Sequence, residues 1–201
     1  MKTVLSSVLF FICLYSWAQQ PVPYQLGDPI RNFSLLNVAN QESISLESYN
    51  DKKVVVLIFT SNNCPYSKLY EKRITELSKQ YTASGVVFLL VNSAMTTNDK
   101  NENIDAMRTK IQASNYLFPY LADTLQTLSA EFGISRLPDA FILKKMEGSF
   151  RLVYKGAIDD NPQSAEEASS HYLSDAINAM VNNKTIKITE TRPVGCLIKP
   201  Y

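Results

Sequence analysis

A chain of 201 residues is long enough for one domain with a sizeable core and hardly long enough for two. Its 45% hydrophobic and 19% charged residues exclude a disordered or low-complexity chain. With 20 Lys and Arg against 19 Asp and Glu there is no basic excess, so neither nucleic acid nor an anionic membrane surface is an expected partner.

The chain opens with "MKTVLSSVLFFICLYSWAQQ". Lys2, an apolar run over residues 4–15 and the small-x-small triplet Ser16-Trp17-Ala18 read as a secretory signal cleaved near Ala18. The run is short for a membrane-spanning helix, so a retained anchor is the lesser alternative. Phe11 and Ile12 are too bulky for lipid attachment at Cys13. Cleavage takes away Lys2 and Cys13, leaving 20 − 1 = 19 basic against 19 acidic residues and two cysteines, Cys64 and Cys196. Disulfides persist in an exported protein, periplasmic or secreted.

Residues 19–32 form a Pro-rich lead-in, opening a domain expected to run over 19–190. "NFSLLNV" and "ESISL" are strands joined at Asn40-Gln41, a small hairpin. "KKVVVLIFT" is a β-branched run of the kind buried on both faces. Tyr66, Leu69, Tyr70, Ile74, Leu77 and Tyr81 then share one helical stripe that ends before Gly85. "GVVFLLVNS" is a second buried strand. Asn98 or Asp99 is the expected cap of a helix facing inward through Ile104, Met107 and Ile111. After "YLFPYL", Asp123-Thr-Leu-Gln126 resembles a capping box leading through Leu128 and Phe132 to Gly133. "DAFILKK" and "SFRLVYKG" flank the turn "MEGS". Asn161-Pro162 opens a last helix through Val181, as an N-cap followed by proline. The tail, residues 191–201, carries Pro193, Gly195 and Cys196 without periodicity and is expected to be an irregular, mobile arm. This order predicts an α/β protein with a mixed central sheet and helices on both faces.

The chemistry concentrates at "IFTSNNCPYSKLYE", residues 58–71. Cys64 follows a buried strand and precedes Pro65 at the first helical position, where the positive end of the helix dipole favours an anion. That pole lowers a thiol pKa by about one unit, short of full ionisation at neutral pH. Further stabilisation is expected from the N–H groups of Tyr66 and Ser67, the hydroxyls of Ser61 and Ser67, and Arg136. The alternatives are plain capping for the two serines and a solvated surface charge for Arg136. His171, the single histidine, falls in the last helix and is not expected to act as a base on Cys64. Asp159-Asp160-Asn161 reads as caps before a helix; no metal or other cofactor is expected.

These stretches, with "GDPIRNFSL" (27–35), "RLPDAFIL" (136–143), "GAIDDN" (156–161) and "ETRPVGCLIK" (190–199), make residues 26–190 resemble the thioredoxin-fold redox proteins. The likeness points to the exported alkyl hydroperoxide reductase/thiol-specific antioxidant, or redoxin, branch. It implies a thioredoxin-like fold with an N-terminal β-hairpin, Cys64 as nucleophile, and Leu137-Pro138 as a cis-proline loop that offers backbone to a substrate. The chain departs from the pattern at Ser61 and Ser67, where a Cys-x-x-Cys partner would stand, and at Leu57, where peroxiredoxins carry proline. The reading that follows is a thiol-dependent oxidoreductase. Cys64 attacks a protein disulfide or a peroxide, Cys196 resolves the intermediate, and an exported thiol reductant regenerates the pair. The alternative is a non-catalytic binding or scaffold protein stapled by a Cys64–Cys196 disulfide.

Overall fold

The computed structural model describes residues 21–95, 99–114 and 116–198; the expected leader at 1–18 and the expected cap Asn98 lie outside them. The first strands, β1 (Ser34–Asn37) and β2 (Ser43–Ser45), form the expected antiparallel hairpin, with Gln41 at positive φ in its turn. Next, β3 (Val54–Thr60) and β4 (Val86–Asn92) lie parallel from Val54↔Val86 to Thr60↔Asn92. Every residue of β3 is buried, as an apolar run without alternation requires of a central strand.

Helix α1 (Pro65–Thr82) joins them, with Pro65 in its first turn and Gly85 at positive φ just beyond its end. Tyr70, Ile74 and Tyr81 face the core, whereas Leu69 of the expected stripe points outward at 42% exposure. Helix α2 (Ile104–Ala113) buries Met107 completely. Its cap is Asn103, whose Oδ1 accepts from Ala106 N–H at 2.9 Å, and not Asp99.

The short β5 (Tyr120–Ala122) inserts between β1 and β4. Helix α3 (Thr127–Phe132) follows and closes on Gly133 in the left-handed region. Asp123 does cap it, taking the N–H groups of Leu128 (3.3 Å) and Ser129 (2.8 Å), while Gln126 at positive φ turns the chain between them. After β6 (Arg136–Leu137), β7 (Asp139–Met146) and β8 (Ser149–Gly156) make a hairpin through Glu147 and Gly148, both at positive φ. In β8, Phe150, Leu152 and Tyr154 point inward, alternating with more exposed residues.

The main sheet thus runs β2-β1-β5-β4-β3-β7-β8, parallel across β3, β4 and β5 and antiparallel elsewhere. One apolar layer packs α1, α2 and the last helix, α4 (Tyr172–Val181), against one face. The other contains Phe59, Phe132, Phe141 and Cys64. This is the mixed, helix-flanked sheet with an N-terminal hairpin that the sequence predicts.

Two expectations need correction. The last helix begins at Tyr172, not at Pro162. Arg73 holds the carbonyls of Asn161 (2.7 Å) and Pro162 (2.8 Å). Asn161 Oδ1 accepts from the N–H groups of Gln163 and Ser164, both at 3.0 Å. Asp160 accepts from Ser169 N–H at 2.9 Å. Side-chain bonds of this kind divert backbone groups from a helical ladder. The tail, for its part, is not irregular throughout: β9 (Cys196–Leu197) pairs antiparallel with β6.

Candidate active site

Cys64 stands at the N-cap of α1, delivered there by β3 and the turn Ser61-Asn62-Asn63. Its partner arrives from the far end of the chain. Cys64 and Cys196 form a disulfide across 132 residues, with Cα atoms 5.9 Å apart. Three features seat the tail. Leu137 pairs with Cys196 and Arg136 with Leu197 in the β6–β9 ladder. Ile198 N–H donates to the Ser135 carbonyl at 3.1 Å. Arg136 donates to the Gly195 carbonyl at 3.0 Å. Gly195 itself lies so close to the loop that a Cβ there would come within 1.8 Å of the Leu137 carbonyl oxygen. The Leu137-Pro138 peptide is cis.

The two cysteines differ in exposure. Cys64 is only 4% exposed and sits among core residues, whereas Cys196 is half-buried. Both line an open cavity of about 500 Å³ that also includes Ser61, Asn63, Leu137 and Glu102. The Cys64 Sγ lies 3.3 Å from the Leu137 carbonyl oxygen. A disulfide sulfur has no hydrogen to give, so this contact becomes a hydrogen bond only in the thiol form. A thiolate would be repelled there.

Of the groups expected to stabilise a thiolate, Ser61 and Arg136 have other tasks. Ser61 donates its hydroxyl hydrogen to Glu102, and its oxygen accepts from the N–H groups of Cys64 (3.1 Å) and Asn63 (3.2 Å). Ser67 is fully buried, and its Oγ has no hydrogen-bond partner among the described residues. Tyr66 packs, partly buried, on the cluster that holds Cys64. Arg136 is neither at the sulfur nor free in solvent; it holds the tail. His171 is exposed, precedes α4 and lines a separate cavity with Arg73 and Glu76, away from Cys64. Asp159 accepts from Tyr70 (2.7 Å) and Arg73 (2.6 Å), which explains why this carboxylate is buried.

Two residues escaped the sequence reading. Glu102 is 3% exposed and gathers the loop before Cys64. Asp139, next to Pro138, is buried with Oδ1 unpartnered among the described residues, and loss of solvent pushes its carboxyl up to about 7. Glu102 stands in "NDKNENIDAM", a stretch that reads locally as a polar loop and helix start. The loop groups it binds lie about forty residues away, where no local pattern reaches.

A thioredoxin-like sheet carrying a helix-N-terminal cysteine, a facing cis-proline and a second cysteine within bonding distance defines a thioredoxin-fold redoxin. Residues 26–148 match the AhpC/TSA family, and the chain belongs to that family. Among solved structures it is similar to a hypothetical protein from Sinorhizobium meliloti. The two share 26% identity with a TM-score of 0.80, over 90% of this chain and 98% of that one. An uncharacterized conserved protein from Geobacillus kaustophilus matches at 25% identity and a TM-score of 0.80, over 88% of this chain and 92% of the other. A putative thiol:disulfide interchange protein DsbE from Chlorobium tepidum shares the fold at 16% identity and a TM-score of 0.57, covering 80% and 97%. A search of curated proteins finds no significant match.

Proposed function

We propose that the protein is an exported thiol-dependent oxidoreductase whose working groups are Cys64 and Cys196. The observation that carries this reading is the Cys64–Cys196 disulfide on the wall of an open cavity beside the cis-proline loop. In the reduced protein the Cys64 thiolate attacks one sulfur of a substrate disulfide, expelling the other as a thiolate, or attacks a peroxide oxygen, expelling hydroxide or alkoxide and leaving a sulfenic acid. The Cys196 thiolate then attacks Cys64 sulfur, expelling the reduced substrate as a thiolate or, from the sulfenic acid, hydroxide, and the internal disulfide closes. A thiol reductant supplies two electrons to reopen it. Its first thiolate attacks Cys196, the more exposed cysteine, and Cys64 departs as a thiolate. The leader at residues 1–18 supports export, and no helix among the described residues is long and apolar enough to cross a membrane.

Turnover with hydrogen peroxide and with a protein disulfide such as insulin, each coupled to a thiol reductant, tests the assignment. Cys64→Ser is expected to abolish both activities. Cys196→Ser is expected to stall after one turnover and to trap a mixed disulfide on Cys64, visible by mass spectrometry. Activity unaffected by Cys64→Ser overturns the reading. A disulfide that resists thiol reductants in the folded protein would instead establish the staple.

A further inference from the structure

The loop that leads into α1 already holds an anion, and it is not the sulfur. Glu102 Oε1 accepts from the Ser61 hydroxyl and from Asn63 N–H at 2.7 Å. Its Oε2 accepts from Asn62 N–H at 3.1 Å and from the Asn92 side-chain amide at 2.9 Å. Every partner gives a hydrogen, the pattern of an ionised, acceptor-only carboxylate. The Ser61 oxygen is committed as well, since it accepts from Cys64 and Asn63 N–H. Among the described residues no lysine or arginine forms an ion pair with Glu102. Its charge rests on neutral donors in the loop that opens α1 and on the Asn92 side-chain amide at the end of β4. This carboxylate also lines the cavity that contains both cysteines.

We infer that Glu102 is a positioning residue that sets the reactivity of Cys64. It fixes the 61–63 loop through Ser61, and its buried charge opposes formation of a thiolate at the same helix end. The inference deepens the oxidoreductase reading and rests on it. A like charge held nearby in a poorly solvated site disfavours ionisation. Because reduction of the disulfide releases Cys64 sulfur as a thiolate, the same charge favours the disulfide over the dithiol. The residue thereby makes the reduced protein a stronger donor of electrons.

Two measurements on the full-length chain test this. The first is the pH at which Cys64 ionises, read from thiolate ultraviolet absorbance in the reduced Cys196→Ser background. The second is the ratio of dithiol to disulfide in otherwise unaltered protein equilibrated with glutathione, where two glutathione molecules are oxidised for each disulfide opened. Glu102→Gln removes the charge and should lower the ionisation pH by about one unit, raising the ratio of dithiol to disulfide about tenfold at a fixed glutathione ratio and a pH above both ionisation values. Glu102→Asp keeps the charge and should stay close to the parent in both. Equal shifts in the two variants, or no shift in a folded Glu102→Gln protein, overturn the inference. If Glu102→Gln does not fold, the Cys196→Ser protein decides alone. Ionisation at or above the free-cysteine value of about 8.5 upholds the inference, and ionisation below it overturns it. A null result here with turnover still lost in Cys64→Ser would leave the enzymatic reading intact.

Discussion

Asp139 carries a measurable signature of its surroundings. It follows the cis-proline, lies buried on the inner side of β7 and lines a cavity with Lys155, Thr191 and Arg192. Burial raises its carboxyl to about 7, against the opposing pull of the Ala140 N–H and the Lys155 charge. A carboxyl raised in the folded state favours folding while it stays protonated. That contribution is complete below the unfolded value near 4 and is lost as pH rises to about 7. Asp139→Asn should therefore flatten this part of the stability profile and raise the melting temperature at pH 8 relative to the parent. Thermal unfolding from pH 4 to 8 checks the sign. At this scale the sequence disclosed the two cysteines, because a strand–Cys–Pro–helix pattern is local. The destinations of Ser61 and Arg136 were hidden, since each is set by a partner distant in the chain: Glu102 for one, Gly195 for the other.

Among the elements, the strands and α1 were legible because apolar period and turn residues agree with each other. Helix starts were less so. Asn161-Pro162 has the composition of an N-cap and first turn, yet Arg73 on α1 captures its carbonyls and the helix begins ten residues later. The two-residue β9 was also unreadable, because its only regularity is pairing with β6. That ladder gives Gly195 a strict role. A methyl group at this position would collide with the backbone of Leu137, which cannot swing aside as a side chain can. Gly195→Ala should cost the oxidised protein about 1–3 kcal/mol, the usual scale of overpacking, and should change the reduced protein far less. Calorimetry on both redox forms separates this from a general loss of stability.

For the molecule as a whole, the alternation of strands and helices sufficed to predict a mixed sheet with helices on both faces. The Cys64–Cys196 bond adds what alternation alone does not show, the path of the tail back to the centre. Closing a loop of 132 residues is worth about 5 kcal/mol in the chain-entropy model, so oxidation and folding are strongly linked. The family and the fold are consistent with that linkage serving electron transfer, and the Cys64 and Cys196 variants decide it.

The same bond makes a covalent ring of residues 64–196, and β3 lies outside it although its two sheet neighbours, β4 and β7, lie within. A chain held by its two ends in an optical trap would consequently unravel in two different ways. With the sulfurs joined, tension passes from β3 through the cystine to the tail, and the ring stays shielded from the load. Once a thiol cuts that link, a further length of roughly 450 Å becomes available to the pull, so that a single molecule's extension would report its redox state.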